Sequence, residues 1–161
     1  MKIIFLDHFG VMCLAEKHGR IHEKNDNPRP DEMRVHGKFD NFDHKAVKIL
    51  NEILFKTDAE IIVSSDWKRW ADLKEIEKFY ISQGIIKKPI DITPELDNIN
   101  NIKEQRKIEI LTWLKNKENI SKWVAIDDMY LEGLNNFVWV SRTDEGITQK
   151  GIKEKMLSFL I

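Results

Sequence analysis

The sequence predicts an α/β fold in which helices cover both faces of a central parallel sheet. Four short apolar runs have the length of β-strands, and each run is continuous rather than alternating, which is typical of strands buried on both faces. Longer segments with apolar residues at helical spacing lie between these runs. Because strands that alternate with helices form right-handed crossovers, we expect a three-layer helix–sheet–helix sandwich.

The four apolar runs define the predicted strands, and each holds four or five residues. Between the second and the third strand, residues 86–101 contain Pro89 and Pro94 and predict an irregular connection. The predicted strands cover residues 2–6, 60–63, 123–126 and 137–140.

Four helices are predicted between and after the strands. Asp43 is a suitable N-cap for the first helix, in which apolar residues recur at helical spacing as far as Leu54. Asp66 can begin a second helix, which ends near Gly84. The other two helices cover 103–117, with Ile110, Leu111 and Leu114 facing the core, and 150–160.

One segment interrupts the alternation of strands and helices. Residues 15–42 hold six acidic residues, six basic residues, three histidines and two prolines, with few aliphatic side chains. A segment this polar is unsuited to a core, and loops of this length in compact domains are often lids. We therefore predict a single domain over residues 1–161, with a small polar cap inserted at about 15–42 over the sheet edge where the first strand ends.

Composition limits the class of protein. The chain has 161 residues, of which 42% are hydrophobic and 33% charged, and this suits one buried core with a polar surface. Its 26 Lys and Arg against 27 Asp and Glu argue against binding nucleic acid by bulk charge alone. The single cysteine, Cys13, excludes an internal disulfide and favours a reducing, cytoplasmic location. No apolar run approaches the roughly 20 residues of a membrane span, so we expect no membrane partner.

Polar side chains follow three of the predicted strands at the points where the strands end. Asp7 follows the first strand, Ser64 and Ser65 follow the second, and Asp127 and Asp128 follow the third. Ligands of parallel α/β sheets bind beyond the carboxyl ends of the strands. We therefore expect these side chains to form a site at one edge of the sheet.

The grouped carboxylates need a positive partner, because adjacent buried acids repel one another and lose hydration. Mg²⁺ takes oxygen ligands and usually keeps several waters, so it fits this requirement. A basic residue at the start of the third helix, namely Lys103, Arg106 or Lys107, could supply the remaining charge. The alternative interpretation is structural: Asp127 caps a turn and Asp128 is solvated.

The order of these motifs resembles the haloacid dehalogenase (HAD) superfamily. IIFLDHFGV is similar to the first signature, in which a strand ends in a nucleophilic aspartate, IIVSS to the second and VAIDD to the acidic fourth. More narrowly, the sequence resembles the HAD domain of the Swiss Army Knife RNA repair proteins. The segments that carry this narrower resemblance are FD at the end of the insertion, AEIIVSSDWKRW, ITP, RKIEILTWL, WVAIDD and VSRTDEGIT.

The resemblance implies a Rossmann-like sheet and a phosphoryl-transfer site. Asp7 would attack phosphorus and form an aspartyl-phosphate, which divides one difficult step into two. Ser64 would donate a hydrogen bond to the phosphoryl oxygens, while Lys107, or Arg106 as second choice, would neutralise the growing charge. The implied Mg²⁺ ligands are Asp7, the backbone carbonyl of Phe9, and Asp128 with Asp127 behind it.

Phe9 departs from the superfamily pattern. In the phosphatases this position holds an aspartate that protonates the leaving group, and such acid–base help is worth typically 10²–10⁴-fold. A histidine could replace it, but His8 directly follows Asp7 and should point to the opposite face. The other histidines considered lie in the insertion and are His18, His22 and His36.

Three functions remain open at this point. The resemblance favours an Mg²⁺-dependent phosphohydrolase that acts on a phosphorylated small molecule or on a nucleic-acid end. The first alternative is a catalytically impaired HAD-fold protein that binds phosphate or a partner, because Phe9 cannot move a proton. The second is a haloacid dehalogenase-type hydrolase, since some of these carry an aromatic residue here. Those enzymes lack the paired acids and have a large helical cap, so they fit the sequence less well.

Overall fold

The computed structural model of the chain describes residues 1–15, 38–97 and 99–161. Its strands are β1 (Lys2–Leu6), β2 (Glu60–Val63), β3 (Asp91–Ile92), β4 (Lys122–Asp127) and β5 (Phe137–Trp139). They form one sheet in the order β3-β2-β1-β4-β5, and all neighbouring strands pair in parallel. The predicted parallel sheet is therefore confirmed, with β1 at its centre.

Four α-helices accompany the sheet in the described part of the chain: α1 (His44–Thr57), α2 (Leu73–Ser82), α3 (Ile102–Lys115) and α4 (Ile152–Leu160). The predicted N-cap of α1 is confirmed, because the Asp43 carboxylate accepts a hydrogen bond of 3.0 Å from the Ala46 N–H. This bond satisfies one of the N–H groups that have no partner within the helix. None of the described helices combines the length and the apolar composition needed to cross a membrane.

Separate apolar clusters cover the two faces of the sheet. Because side chains alternate along a strand, Ile4 and Leu6 of β1 face a cluster that includes residues of α1, α2 and α4. Ile3 and Phe5 face the other cluster, to which α3 contributes Trp113. Helices on both faces of one parallel sheet make the predicted three-layer, Rossmann-like α/β fold.

Three elements differ from the prediction. Strand β3 lies in the stretch predicted to be irregular, and with only two residues it shows no apolar run of its own. Asp66 begins a short 3₁₀ turn, whereas α2 begins later with Asp72 as its N-cap. Leu111 does not face the core: it is 45% exposed. The buried positions of α3 include charged residues, so the apolar pattern is a poor guide to its inner face.

The predicted cap over 15–42 falls mostly on residues 16–37, which lie outside the described part of the chain. Its described end is not a polar cover. Phe39 and Phe42 are buried in the larger cluster, where their rings contact Trp67 and Phe79. The last residues of the predicted cap therefore contribute to the core, because Phe39 and Phe42 are buried although their neighbours in the sequence are polar.

Candidate active site

The register of the sheet places three predicted site residues side by side. Leu6, the last residue of β1, pairs with the last residue of β2 and with Ile126 of β4. The next residue on each strand is therefore a neighbour: the Ser64 N–H donates to the Leu6 carbonyl (3.0 Å), and the Asp7 N–H donates to the Ile126 carbonyl (3.2 Å). Asp7, Ser64 and Asp127 are all buried at this edge.

Three carboxylates meet at this edge. One oxygen each of Asp7, Asp127 and Asp128 lies within 4.8 Å of the other two, a grouping that could hold a metal ion. The loop after Asp7 comes close to them through Gly10, which has a φ of +72°. A Cβ atom at Gly10 would lie 2.7 Å from Oδ2 of Asp128, so a glycine is needed for this approach.

Arg106 of α3 is the basic residue that contacts the carboxylates. Its Nη1 donates to Oδ1 of Asp7 (3.1 Å), to Oδ2 of Asp127 (2.7 Å) and to the Ser64 carbonyl (2.7 Å). Its Nη2 donates to Oδ1 of Asp66 at 3.2 Å. With its side chain only 4% exposed, the guanidinium joins the ends of β1, β2 and β4 from within the protein.

Lys107, the first choice from the sequence, has other contacts. Its Nζ donates to the Glu132 carbonyl at 3.1 Å and pairs with Glu104 at 3.0 Å. Lys103 is exposed. Successive residues of an α-helix are rotated by about 100°, so Arg106 and its neighbour cannot both face the sheet edge. Of these basic residues, it is Arg106 that contacts the carboxylates, whereas the sequence made Lys107 the first choice for neutralising charge on the phosphate.

Burial and mutual repulsion disturb the ionisation of the carboxylates. Burial, helped by repulsion from Asp127, raises the pKa of Asp7 well above its usual range, although Arg106 opposes this. Burial raises the pKa of Asp127 to about 7 despite the attraction of Arg106. For Arg106 itself, burial lowers the pKa, but Asp127 and Asp7 outweigh burial and raise it. One guanidinium therefore does not fully balance the carboxylates, and a further cation would stabilise their charged forms.

Ser64 carries an unsatisfied hydroxyl. The residue is 2% exposed, and among the described residues its Oγ is the buried side-chain N or O atom that has no hydrogen-bond partner. Such a group costs about 1–3 kcal/mol relative to a satisfied one. Ser65 differs, because its Oγ accepts from the Trp67 N–H (3.2 Å) and lies 2.9 Å from Nδ1 of His8. Ser64 is therefore the serine that remains available to a ligand.

His8 points away from the carboxylates, as predicted from its position after Asp7. Its Nδ1 contacts Ser65, and its Nε2 lies 2.5 Å from the Tyr80 hydroxyl. Burial, with a smaller effect of Arg106, lowers the pKa of His8 well below its usual value. Both ring nitrogens are engaged in the core, which does not support His8 as a replacement acid. His18, His22 and His36 lie outside the described residues.

Phe9 is half-buried and packs against the larger apolar cluster. Its backbone forms an isolated β-bridge with Cys13, and the Gly10 N–H donates to the Cys13 carbonyl at 2.9 Å. The loop after β1 is therefore closed by backbone hydrogen bonds. The side chain at position 9 supplies apolar contact where the superfamily phosphatases have a carboxylate.

A second buried ion pair, which was not predicted from the sequence, lies near this edge. The Lys68 ammonium donates to the Glu109 carboxylate, to Oγ1 of Thr93 (3.2 Å) and to the Pro94 carbonyl (3.1 Å). Burial lowers the pKa of Lys68, although Glu109 opposes the shift. Glu109 lies three residues, or about one helical turn, after Arg106. Charged residues at this spacing lie on one face of a helix, so the spacing was a signal in the sequence for the inner face of α3.

The fold and the grouped carboxylates are those expected for the HAD superfamily. A family model described as the HAD domain in Swiss Army Knife RNA repair proteins matches residues 3–151, and the chain belongs to this family. No curated protein and no solved structure gives a significant match to the chain. Membership supports a HAD-like phosphohydrolase in general, since the superfamily acts on phosphorylated substrates and generally uses Mg²⁺.

Proposed function

We propose that the chain is an Mg²⁺-dependent phosphohydrolase that forms an aspartyl-phosphate on Asp7. Its substrate is the phosphate ester of a nucleotide or of a nucleic-acid end. The observation that carries the proposal is the buried, unpartnered hydroxyl of Ser64. This residue directly follows β2, the strand next to β1, at the edge where Arg106 meets the carboxylates. A hydroxyl donor and a buried cation beside a carboxylate suit a phosphoryl group.

The donor set fits Mg²⁺, because three carboxylates offer the oxygen ligands that this ion prefers. Oδ2 of Asp127 accepts from Arg106, and its Oδ1 accepts from the Met129 N–H at 2.9 Å. We therefore assign direct binding of the ion to Asp7, Asp128 and the Phe9 carbonyl, with Asp127 as the support behind them. A bound Mg²⁺ would polarise a phosphoryl oxygen and offset the charge that develops there.

The residues of the chain divide the reaction between them. Asp7 attacks phosphorus, the phosphorus–ester oxygen bond breaks, and the leaving oxygen takes a proton from solvent. Ser64 donates to a phosphoryl oxygen, while Arg106 holds the Asp7 carboxylate in position. Water then attacks the aspartyl-phosphate and releases phosphate. Without a carboxylate at position 9, neither proton transfer has an acid or base within the loop, so we expect slow turnover.

A second candidate function is phosphate binding without efficient turnover. Phe9 supports it, as does the engagement of both ring nitrogens of His8 in the core. In this case the protein would bind Mg²⁺ and phosphate esters but would hydrolyse them poorly.

An assay of wild type against Phe9→Asp separates the two candidates. Phosphate release is measured on an aryl phosphate and a nucleotide panel, with Mg²⁺ and with a chelator. Metal-dependent release by wild type supports the phosphohydrolase. Release by Phe9→Asp alone supports the binding protein. Absence of phosphate release by both proteins over the whole panel would count against phosphohydrolase activity on these esters.

Ser64→Ala and Ser65→Ala form a matched pair of variants. Ser64→Ala is expected to leave the free energy of unfolding unchanged or to raise it by up to about 1–3 kcal/mol, because an unpartnered buried hydroxyl is removed and no hydrogen bond is lost. It should nevertheless reduce turnover about 10²–10³-fold. Ser65→Ala removes a partner of His8 and of a backbone N–H, so it should lower stability by about 1–3 kcal/mol. Urea denaturation and initial rates measure both effects. A larger loss of stability in Ser64→Ala than in Ser65→Ala would contradict the conclusion that the Ser64 hydroxyl is the unpartnered one.

Stabilisation by Mg²⁺ is expected to grow as the pH rises. Folding raises the pKa values of Asp7 and Asp127. The protonated carboxyl groups are therefore tolerated at low pH, and the free energy of unfolding falls as they ionise, for Asp127 as the pH rises through about 7. Mg²⁺ binds the ionised carboxylates and should reverse this loss. We expect a gain of about 1–3 kcal/mol at saturating Mg²⁺ and pH 8, and little gain at pH 5.5.

Thermal unfolding from pH 5.5 to 8.5, with Mg²⁺ and with a chelator, measures this dependence. Asp128→Asn is the control and should abolish the gain at every pH. An equal gain across the pH range, or an unchanged gain in the variant, would show that the ion binds elsewhere.

A further inference from the structure

A pocket of about 530 Å³ opens on the β3 side of the candidate active site. Its walls come from the 3₁₀ turn that follows Ser65, from the start of α2 and from the end of β3. The residues that line it include Lys68, Trp70, Asp72, Glu75, Thr93 and Glu95.

The pocket adjoins the position proposed for the phosphoryl group. The Thr93 N–H donates to the carbonyl of Val63 at 3.0 Å, so Thr93 lies one strand away from Ser64. Neighbouring strands are about 4.8 Å apart. Asp66, at the start of the 3₁₀ turn, accepts from Arg106, and Lys68 of the same turn lines the pocket. A phosphate held at Asp7 and Ser64 would therefore leave the rest of its ester within reach of the pocket.

Trp70 presents an aromatic surface to this pocket. It is 43% exposed, whereas Trp67, in the same short segment, is 1% exposed and packs against Phe39, Phe42 and His8. Trp67 therefore fixes the segment in the core, and Trp70 remains accessible at its end. An accessible indole in a pocket of this size suits stacking with a second flat ring.

The polar rim of the pocket is rich in acceptors but nearly balanced in charge. Glu75 pairs with Lys38 at 2.6 Å, and Glu95 pairs with Arg69 at 3.6 Å. The Asp72 carboxylate accepts from the Glu75 N–H at 2.9 Å as the cap of α2. The ammonium of Lys68 is held by Glu109, so it does not make the pocket a second anion site. Such a rim fits an uncharged ring that carries N–H donors.

We infer that this pocket binds the base of the nucleotide substrate, stacked on Trp70 and with its amino or imino groups directed to the carboxylate rim. The inference rests on the proposed function, because it assumes that the ester phosphate lies at Asp7. It adds to the proposed function a defined binding site for the base of the nucleotide.

The first test compares esters with and without a base. Trp70→Ala should lower kcat/KM for nucleoside monophosphates about 5- to 150-fold, because a base–aromatic stack is lost, and should leave kcat/KM for ribose 5-phosphate unchanged. Trp70→Phe keeps an aromatic face and should recover most of the loss. Phe55→Ala is the matched control, since Phe55 is an exposed aromatic residue on α1 and is 85% exposed. Equal effects of Trp70→Ala on both kinds of ester would overturn the inference.

The second test does not depend on turnover. Binding of adenosine, guanosine, cytidine and uridine, none of which carries phosphate, is measured by calorimetry or NMR titration. Binding to wild type that weakens in Trp70→Ala, but not in Phe55→Ala, supports the pocket even if no phosphate ester is hydrolysed. In that case the proposed phosphohydrolase activity is wrong, whereas the proposed base-binding site is supported. Absence of nucleoside binding, together with unchanged nucleotide kinetics in Trp70→Ala, would overturn the base site.

Discussion

Asp7→Asn is expected to reduce turnover by roughly 10⁴-fold or more without unfolding the protein. The amide has nearly the shape of the carboxylate but cannot attack phosphorus. Burial and Asp127 raise the pKa of Asp7, so a neutral side chain is well tolerated at this position. We therefore expect the free energy of unfolding to stay within about 1 kcal/mol of wild type or to rise above it, since the repulsion between two carboxylates is removed.

Initial rates with saturating Mg²⁺ and urea denaturation of the same preparations test this prediction. Asp43→Asn is the control, because asparagine caps a helix about as well as aspartate, so both rate and stability should be preserved. Retention of more than about a tenth of the wild-type rate by Asp7→Asn would rule out the nucleophile proposed here.

Arg106→Met is expected to have the largest effect on stability, a loss of about 3–5 kcal/mol. The variant leaves Asp7 and Asp127 buried without the guanidinium that contacts both of them. The loss should be smaller at pH 5.5 than at pH 8, because both carboxylates are more easily protonated at the lower pH. Turnover should fall with it, since Asp7 loses the group that holds it in position.

Lys107→Met is the matched variant, because it removes a positive charge from the next residue of the same helix. Its ion pair with Glu104 is partly exposed, so we expect a change of about 0–1 kcal/mol. Arg106→Lys should fall between the two, since one ammonium cannot reach all the acceptors of the guanidinium. A larger loss of turnover in Lys107→Met than in Arg106→Met would show that Lys107 is the basic residue on which the reaction depends.

The sequence was informative where a side chain directly follows a buried strand. Apolar runs identified β1, β2 and β4, and parallel pairing then placed Asp7, Ser64 and Asp127 at one edge without further information. The N-cap of α1 was equally readable, because Asp43 acts on its own helix. These features depend on local pattern and on a general rule for parallel sheets.

Other features depend on tertiary contacts that no local pattern records. The choice between Arg106 and Lys107 depends on the rotation of α3 against the sheet, and two adjacent basic residues give no hint of it. Strand β3 exists because it pairs with β2, not because of its own two residues. The aromatic end of the predicted cap was hidden by polar neighbours, although Phe39 and Phe42 bury in the core.

Phe9 predicts a distinctive order of rates for the two steps of the reaction. Acetyl phosphate and aryl phosphates have leaving groups that need little protonation, so the missing acid at position 9 should hardly slow transfer of their phosphoryl group to Asp7. Hydrolysis of the aspartyl-phosphate still lacks a base to activate water, so with these substrates the adduct should form faster than it is hydrolysed. The intermediate should then accumulate in wild type, and Phe9→Asp should shorten its lifetime. This expectation makes the covalent adduct easier to detect than released phosphate.

Capture of that adduct tests most directly whether Asp7 is the nucleophile. The protein is mixed with a nucleotide panel or acetyl phosphate, with Mg²⁺ or with a chelator, then quenched in acid and digested for mass spectrometry. We expect one phosphoryl group on the peptide that contains Asp7, absent with the chelator and absent in Asp7→Asn. Metal-dependent phosphate release without this adduct, undiminished in Asp7→Asn, would contradict the proposed chemistry.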